Sequence, residues 1–149
     1  MVSEDDLDYI FSFMDERFGI AKRVFADYLL FKRKKSWFLM KKSDLIKSGS
    51  SLKVYKVGLK AFHMVSTFIK PTGKFIQIFG HKATKARVAV DEQQLSTLFA
   101  GGAIQSDINI KKGYVILELK GNGILGLGFF NNGKIRSQIP RKEIKKNFV

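Results

Sequence analysis

Two short turn signals near the end of the chain constrain its fold more than any other feature. Gly121-Asn122-Gly123 and Asn131-Asn132-Gly133 lie ten residues apart, and both combine residue types that tolerate a positive φ. Each separates runs of residues that favour strands, so the pattern predicts two consecutive β-hairpins. The three predicted strands are Tyr114–Leu119, Ile124–Phe130 and Lys134–Ile139.

A strand and a helix precede these hairpins. The pattern predicts a strand over Arg87–Val90 and a helix over Asp91–Phe99, with Asp91 as its cap and Gly101-Gly102 after its end. Several short strands with one small helix are typical of a small β-barrel, which leaves no sheet edge free. Residues 82–149 are therefore expected to form such a barrel.

The first part of the chain is expected to be a separate α+β domain. Apolar residues at helical spacing predict a helix over Ser3–Phe18 that Ser3 caps and Gly19 ends. A hairpin of Tyr28–Lys32 and Trp37–Lys41 is predicted next, followed by a helical turn at Ser43–Ile46. Strands are predicted over Leu52–Val57 and Ala61–Ile69. Thr72 is predicted to cap a short helix, with a strand over Phe75–Phe79 as the alternative. We predict an α+β fold with domains 1–81 and 82–149.

The charge of the chain is regional. Residues 1–27 contain 7 acids and 3 bases, whereas the remainder contains 24 Lys and Arg against 6 Asp and Glu. A net charge of +14 and a pI near 10 attract polyanions, of which nucleic acid is the most frequent partner. A lysine-rich surface that serves only solubility would contain more balancing acids, so we favour a binding surface.

Composition excludes several classes of function. The chain contains no cysteine, which excludes disulfides, Cys-based zinc sites and a thiolate nucleophile. It contains no apolar run of transmembrane length, and its acidic start is unlike a signal peptide. We therefore expect a cytoplasmic protein with no membrane partner and no cofactor.

One motif imitates a dinucleotide-binding site. Gly121-Asn122-Gly123-Ile124-Leu125-Gly126 matches the G-x-G-x-x-G pattern, but such a site needs a helix next, so that its N-terminus faces the phosphates. A strand and a turn follow instead. We predict that these glycines belong to the hairpin and to close packing.

Two alternatives to RNA binding remain open from the residues. The chain has two histidines, His63 and His81, and a ribonuclease could use them with a lysine as acid, base and charge stabiliser. The other alternative is a protein–protein adaptor whose first half docks a partner. Neither alternative has support from residue spacing.

The basic residues near the C-terminus have a pattern of their own. In a strand, Lys134 and Arg136 point the same way, and Gln138 extends that line. A strand face of this kind can hold a phosphate backbone and offer amide donors to base edges.

The order of several motifs resembles a known family. They are Arg87–Val90, Asp91–Phe99, Gly101-Gly102-Ala103, Gly113–Ile116 and Ile124–Gly128 before a basic strand. Together they resemble a PUA domain, a small RNA-binding barrel. Further motifs are Phe18-Gly19-Ile20, Lys70-Pro71-Thr72, Phe79-Gly80 with Ala83-Thr84-Lys85, and Lys134–Pro140. These are similar to the C-terminal region of RsmF/Fmu-type rRNA cytosine-5 methyltransferases and to the pre-PUA plus PUA arrangement of small pre-ribosome factors.

The chain departs from those enzymes, because it lacks the methyl-donor-binding domain and the catalytic cysteines. The resemblance therefore implies a recognition module without catalysis, which binds rRNA or tRNA and assists a separate RNA methyltransferase or a pre-ribosomal particle. The RNA-binding residues that it implies are Lys82, Lys85, Arg87, Gly101, Gly102, Ala103, Lys134, Arg136, Gln138 and Arg141. Tyr114 is expected in the core.

Overall fold

The computed structural model describes residues 3–42 and 58–140 of the chain. It divides the chain into two units, Met1–Thr84 and Lys85–Val149, whereas the sequence places the boundary near residue 81. Each unit combines helices with one β-sheet, so the predicted α+β class is confirmed. The predicted turn Ser43–Ile46 and the predicted strand Leu52–Val57 lie outside the described residues.

The first unit begins with helix α1, Glu4–Phe18. The predicted cap is confirmed, because the backbone N–H of Asp6 donates to Ser3 Oγ at 3.2 Å. Gly19 ends the helix with φ 66, a left-handed conformation that suits glycine. The buried residues of α1 are the apolar ones at helical spacing, Ile10, Phe11, Met14 and Phe18.

Among residues 3–42 and 58–84, four antiparallel strands form one sheet, and their spatial order follows the chain. They are β1 Tyr28–Arg33, β2 Ser36–Lys41, β3 Leu59–Val65 and β4 Phe68–Pro71. The predicted β1–β2 hairpin is confirmed. Pro71 lies on β4, an edge strand, where its missing N–H removes no bond from the interior of the sheet.

The prediction of a single strand over Ala61–Ile69 is wrong. The chain turns at Ser66-Thr67, so this stretch forms β3 and β4 of a hairpin. Ser66 adopts φ 57 at this turn. Non-glycine residues rarely take that conformation, and a serine gives none of the turn signal that Gly or Asn would give.

Helix α2, Gly73–Phe79, resolves the alternative between helix and strand in favour of the helix. Thr72 explains this outcome, because its Oγ accepts from the Phe75 N–H at 3.2 Å and donates to the Lys60 carbonyl at 2.6 Å. The cap therefore also attaches α2 to β3. Phe75 packs against Phe62 of β3 with ring centroids 4.6 Å apart. Across the described residues, no helix is long and apolar enough to cross a bilayer.

In the described part of the second unit, residues 85–140, one helix accompanies a five-stranded sheet. The elements are β5 Arg87–Val90, α3 Glu92–Phe99, β6 Ala103–Gln105, β7 Gly113–Leu119, β8 Gly123–Asn131 and β9 Lys134–Ser137. The strands are hydrogen-bonded in the order β5-β7-β8-β9-β6. Asp91 caps α3 as predicted, in a capping box with Gln94. The short strand β6 was not predicted.

The second sheet is curled into a half-barrel. β5 and β6 are its edge strands, yet residues of both line one cavity, so the two edges face each other across a gap. No ladder joins them in the described part of the chain, and the predicted closed barrel is wrong for these residues. With lengths of 4 and 3 residues, the two edges offer few backbone groups to pair.

Two glycines of β8, Gly126 and Gly128, allow close packing, and Gly126 confirms the prediction for the G-x-G-x-x-G stretch. A Cβ at Gly126, where φ is +156, would lie 2.8 Å from Ile139 Cγ1. A Cβ at Gly128 would lie 2.9 Å from Ile135 Cγ2 and 3.1 Å from the Arg136 carbonyl oxygen. A strand follows the first glycines of the motif, and no helix is present to receive a pyrophosphate.

Candidate nucleic-acid interface

A two-residue turn sets the direction of the basic side chains on β9. Asn132 and Gly133 occupy the turn with φ 52 and 74, so Asn131 pairs with Lys134 and Phe129 pairs with Arg136. Lys134 and Arg136 are exposed, whereas Ile135 between them is fully buried. The alternation predicted from the sequence therefore turns both cations to the outer face of the sheet.

These cations line a surface groove, which we call the basic groove. Its volume is about 480 Å³, and its lining residues are Phe129, Asn131, Asn132, Lys134, Arg136 and Gln138. Gln138 follows the end of β9, and its N–H donates to the Leu127 carbonyl at 2.9 Å. The structure thus brings Lys134, Arg136 and Gln138 together, as the sequence predicted.

The glycine loop after α3 lies next to the basic groove. Arg136 pairs with Ala103 of β6, and its Nη1 donates to the Gly101 carbonyl at 3.2 Å. Gly101 has φ +89, and a Cβ at Gly102 would lie 3.0 Å from Thr97 Cγ2. The tight path of this loop therefore needs both glycines, and Arg136 connects the loop with β9.

A second cavity, the edge cavity, opens between β5 and β6. Its volume is about 620 Å³, within the usual range for small-ligand sites. Its lining combines four uncharged polar residues, four apolar or glycine residues and one residue of each charge: Val88, Ala89, Gln94, Ile104, Gln105, Ser106, Asp107, Asn132, Gly133 and Lys134. Asn132 and Lys134 also line the basic groove. Amide and hydroxyl groups beside a cation can bond both base edges and phosphate oxygens.

Other predicted site residues lie elsewhere. Arg87 on β5 forms an ion pair with Glu118 of β7 at 2.6 Å, and it lines neither cavity. Lys85 is exposed just before β5. Lys82 ends a 3₁₀ helix of the first unit. Arg141 lies outside the described residues. The structure thus does not add Arg87 to the groove, because Glu118 holds its guanidinium on another strand pair.

Sequence reasoning missed Phe129. This half-buried ring lies beside Arg136 in the basic groove and packs edge-to-face on Tyr114, with ring centroids 5.1 Å apart. Tyr114 is buried, as predicted, and burial raises its pKa. The Asn131-Asn132-Gly133 turn could have placed Phe129 in this groove, because a two-residue turn at Asn132-Gly133 pairs Phe129 with Arg136.

The two histidines lie on different elements of the first unit. His63 is on β3, where burial and the charges of Lys60 and Lys70 lower its pKa. His81 is exposed in the 3₁₀ helix after α2. Within residues 3–42 and 58–140, no group of three or more Asp, Glu or His side chains is placed to hold a metal ion.

Comparison with known proteins identifies the fold alone. No protein-family model matches the chain, and no curated protein matches it. Among solved structures, the chain is similar to a hypothetical protein of the hyperthermophilic archaeon Pyrococcus horikoshii, with a TM-score of 0.51 and 15% identity. That alignment covers 98% of this chain and 85% of the archaeal chain. The architecture of both units therefore occurs in another protein.

Proposed function

We propose that this protein is a non-catalytic RNA-binding factor of the cytoplasm, with a pre-PUA-like first unit and a PUA-like second unit. Its ligand in this proposal is a structured rRNA or tRNA, bound during ribosome biogenesis or RNA modification. A separate RNA methyltransferase or a pre-ribosomal particle is the proposed partner.

The observation that carries the proposal is the composition of the basic groove. Lys134 and Arg136 supply charge for phosphates, Gln138 and Asn131 supply amides for base edges, and Phe129 supplies a ring for stacking. Groups for all three kinds of RNA contact thus line one groove, and the hydrogen bond from Arg136 to Gly101 holds the glycine loop beside it.

The edge cavity supports the same proposal. It shares Asn132 and Lys134 with the basic groove, so an RNA strand in the groove has a polar cavity of nucleoside size next to it. An unpaired base could enter this cavity while its phosphate stays near Lys134. Recognition of unstacked bases is the usual way in which proteins read RNA sequence.

Binding of the purified protein to structured rRNA and tRNA fragments tests the proposal. We expect micromolar or tighter affinity and a steep fall between about 50 and 200 mM salt, with a log–log slope of about −0.7 to −0.9 per phosphate contact. Affinity that does not change over this range would contradict the proposal. Cleavage of the labelled RNA that disappears in His63→Ala or His81→Ala would instead identify a nuclease.

A pull-down distinguishes the RNA-binding factor from a protein–protein adaptor. If RNA bridges this protein to its partner, nuclease treatment of the lysate should remove the partner from the captured material. A partner that stays bound after complete RNA digestion would favour the adaptor.

A further inference from the structure

The sheet of the first unit carries a line of polar and cationic residues that crosses all four strands. The register pairs Arg33 of β1 with Ser36 of β2, Ser36 with His63 of β3, and His63 with Lys70 of β4. Directly paired residues share one face of a sheet. At about 4.8 Å per strand, this cross-strand row spans roughly 14 Å.

A β-bulge adds Lys60 to the same face. Trp37 pairs with Phe62 and Phe38 pairs with Lys60, so Ala61 is the extra residue of the bulge. In a regular strand, Lys60 and His63 would point to opposite faces, because they are three residues apart. The bulge reverses this parity and places Lys60 opposite Phe38, two residues after Ser36.

The charged residues on the four described strands around His63 have one sign. Strands β1 to β4 contain five Lys and Arg and no acid. Arg33 and Ser36 share the row with His63, and burial together with the charges of Lys60 and Lys70 lowers the pKa of His63. Like charges placed together destabilise a sheet. Groups of like charges that oppose folding are expected at functional sites.

His63 has an unsatisfied atom in addition. Its Nδ1 is buried and has no hydrogen-bond partner among the described residues. Buried polar atoms are nearly always paired in folded proteins, and an unpaired one costs free energy. An anion on this face would stabilise protonated His63, whose positive charge its environment otherwise disfavours.

Apolar and aromatic side chains flank the row on the same face. Phe38 lies two residues from Ser36 on β2, and Phe68 lies two residues from Lys70 on β4. Both rings are half-buried. Val65, which pairs with Phe68, is 39% exposed. A cationic sheet face with flanking rings is the arrangement that holds single-stranded nucleic acid through phosphates and stacked bases.

We infer that this face of the first unit is a second RNA-binding surface, which holds a single-stranded segment with its phosphates along Arg33, Ser36, His63 and Lys70. Lys60 supplies a further phosphate contact. Phe68 and the outward side of Phe38, whose ring also packs against buried Phe31 and Met40, receive bases. An acidic polypeptide would match the charges, but its carboxylates are not aromatic bases that stack on the two rings. The inference extends the proposed function and adds a site independent of the basic groove.

The test measures fluorescence anisotropy of a labelled single-stranded RNA of about 10 nucleotides with the full chain and its variants. Lys60→Gln/Lys70→Gln should lose two phosphate contacts, which at about 0.1 M salt corresponds to a roughly 10- to 30-fold weaker affinity. The salt slope should fall by about 1.4. Lys60→Arg/Lys70→Arg should bind like the parent, because the charges are kept.

A matched control is Lys74→Gln/Lys120→Gln. Both of its positions are exposed, it lowers the net charge of +14 by the same two units, and neither residue belongs to the row or the groove. This control should stay within about twofold of the parent, since only the long-range field changes. Equal losses in both pairs would mean that only total charge matters, and the inference would be overturned.

Protonation of His63 gives an independent readout. Because bound phosphate favours charged His63, RNA binding should take up a proton, and affinity should rise between about pH 7.5 and 5.5. The charged groups of the four strands that share this face with His63 are Arg33, Lys60 and Lys70. His63→Gln should remove the rise, whereas His81→Gln should keep it. A rise unaffected by His63→Gln would contradict the inference.

Two further outcomes separate the inference from the proposed function. If Lys134→Gln/Arg136→Gln weakens RNA binding and Lys60→Gln/Lys70→Gln does not, the function stands and the second surface is rejected. If the parent binds no RNA at all, both are rejected. Polyglutamate that binds with the same dependence on Lys60 and Lys70 would show that the face recognises acidic protein instead.

Discussion

The candidate binding cations of the second sheet lie along one strand, whereas those of the first sheet lie across four strands. On the second sheet, Lys134 and Arg136 lie along one strand, and a single tight turn fixes their direction. On the first sheet, the cross-strand row takes one residue from each of four strands. The groove therefore depends on one hairpin, whereas the row depends on the register of the whole sheet. A register slip of one residue would remove its members from the row.

The sheets also differ in glycine content. Strands β1 to β4 contain no glycine, whereas β8 alone contains Gly123, Gly126 and Gly128. The second sheet therefore relies on close backbone packing beside its groove, and the first relies on side-chain packing. The binding surface of the second unit should be the more sensitive to small changes in volume.

Charge reversal gives the largest expected effect. Lys134→Glu/Arg136→Glu should weaken binding of a structured RNA by roughly 100-fold, since two phosphate contacts are lost and two repulsive charges are added. The matched change is Lys34→Glu/Lys35→Glu at the β1–β2 turn, which should cost clearly less. Filter binding at constant salt measures both. Equal losses would show that the groove is not the preferred surface.

The next largest expected effect comes from a glycine in close packing. Gly126→Ala should lower the free energy of unfolding by about 2 to 3 kcal/mol, because its Cβ would lie 2.8 Å from Ile139 Cγ1 at an unfavourable φ. Gly121→Ala is the control, since φ is also positive there but no atom lies within 4 Å. It should cost about 1 kcal/mol. Denaturant unfolding that gives equal losses would contradict the packing explanation.

Removal of a helix cap in either unit should have a smaller effect on the free energy of unfolding. Asp91→Ala should cost about 1 kcal/mol through the loss of the capping box. Thr72→Ala should cost more, up to about 2 kcal/mol, because the Thr72 hydroxyl also donates to the Lys60 carbonyl. Thermal unfolding of both variants measures the difference. A smaller loss for Thr72→Ala would indicate that this second hydrogen bond contributes nothing.

The smallest expected effect is the pH dependence of stability due to His63. The unfolded state has the ordinary histidine pKa near 6.5 and the folded state a lower pKa, so the unfolded state binds more protons between the two values. Stability should therefore fall as the pH decreases through about 6.5. The free energy of unfolding of His63→Gln should change less over this range. An identical dependence in the parent and the variant would contradict the lowered pKa.

Local signals predicted much of the fold. The caps at Ser3, Thr72 and Asp91 and the Asn/Gly turns act within a few residues, and the elements that they bound are confirmed. The turn at Ser66 was missed, because a serine at positive φ gives no such signal. The three-residue strand β6 was missed as well, since it exists through its pairing with β9.

The two candidate sites also differ in whether local sequence pattern predicts them. Strand alternation was enough to group Lys134, Arg136 and Gln138, because they follow one another along the chain. The cross-strand row joins residues from positions 33 to 70 through strand register, and a bulge adds Lys60 to their face. Neither can be obtained from local pattern. The ion pair of Arg87 with Glu118 was not predicted, because it depends on the parallel ladder of β5 and β7.

The brevity of β5 and β6 has a consequence for self-association. Open sheet edges invite pairing with a second molecule, and a long pair of edges around a gap would make domain exchange or fibre growth favourable. Edges of 4 and 3 residues offer too few hydrogen bonds to template an incoming strand. The short edges therefore limit strand pairing with a second copy of the chain, and lengthening either edge would remove that protection.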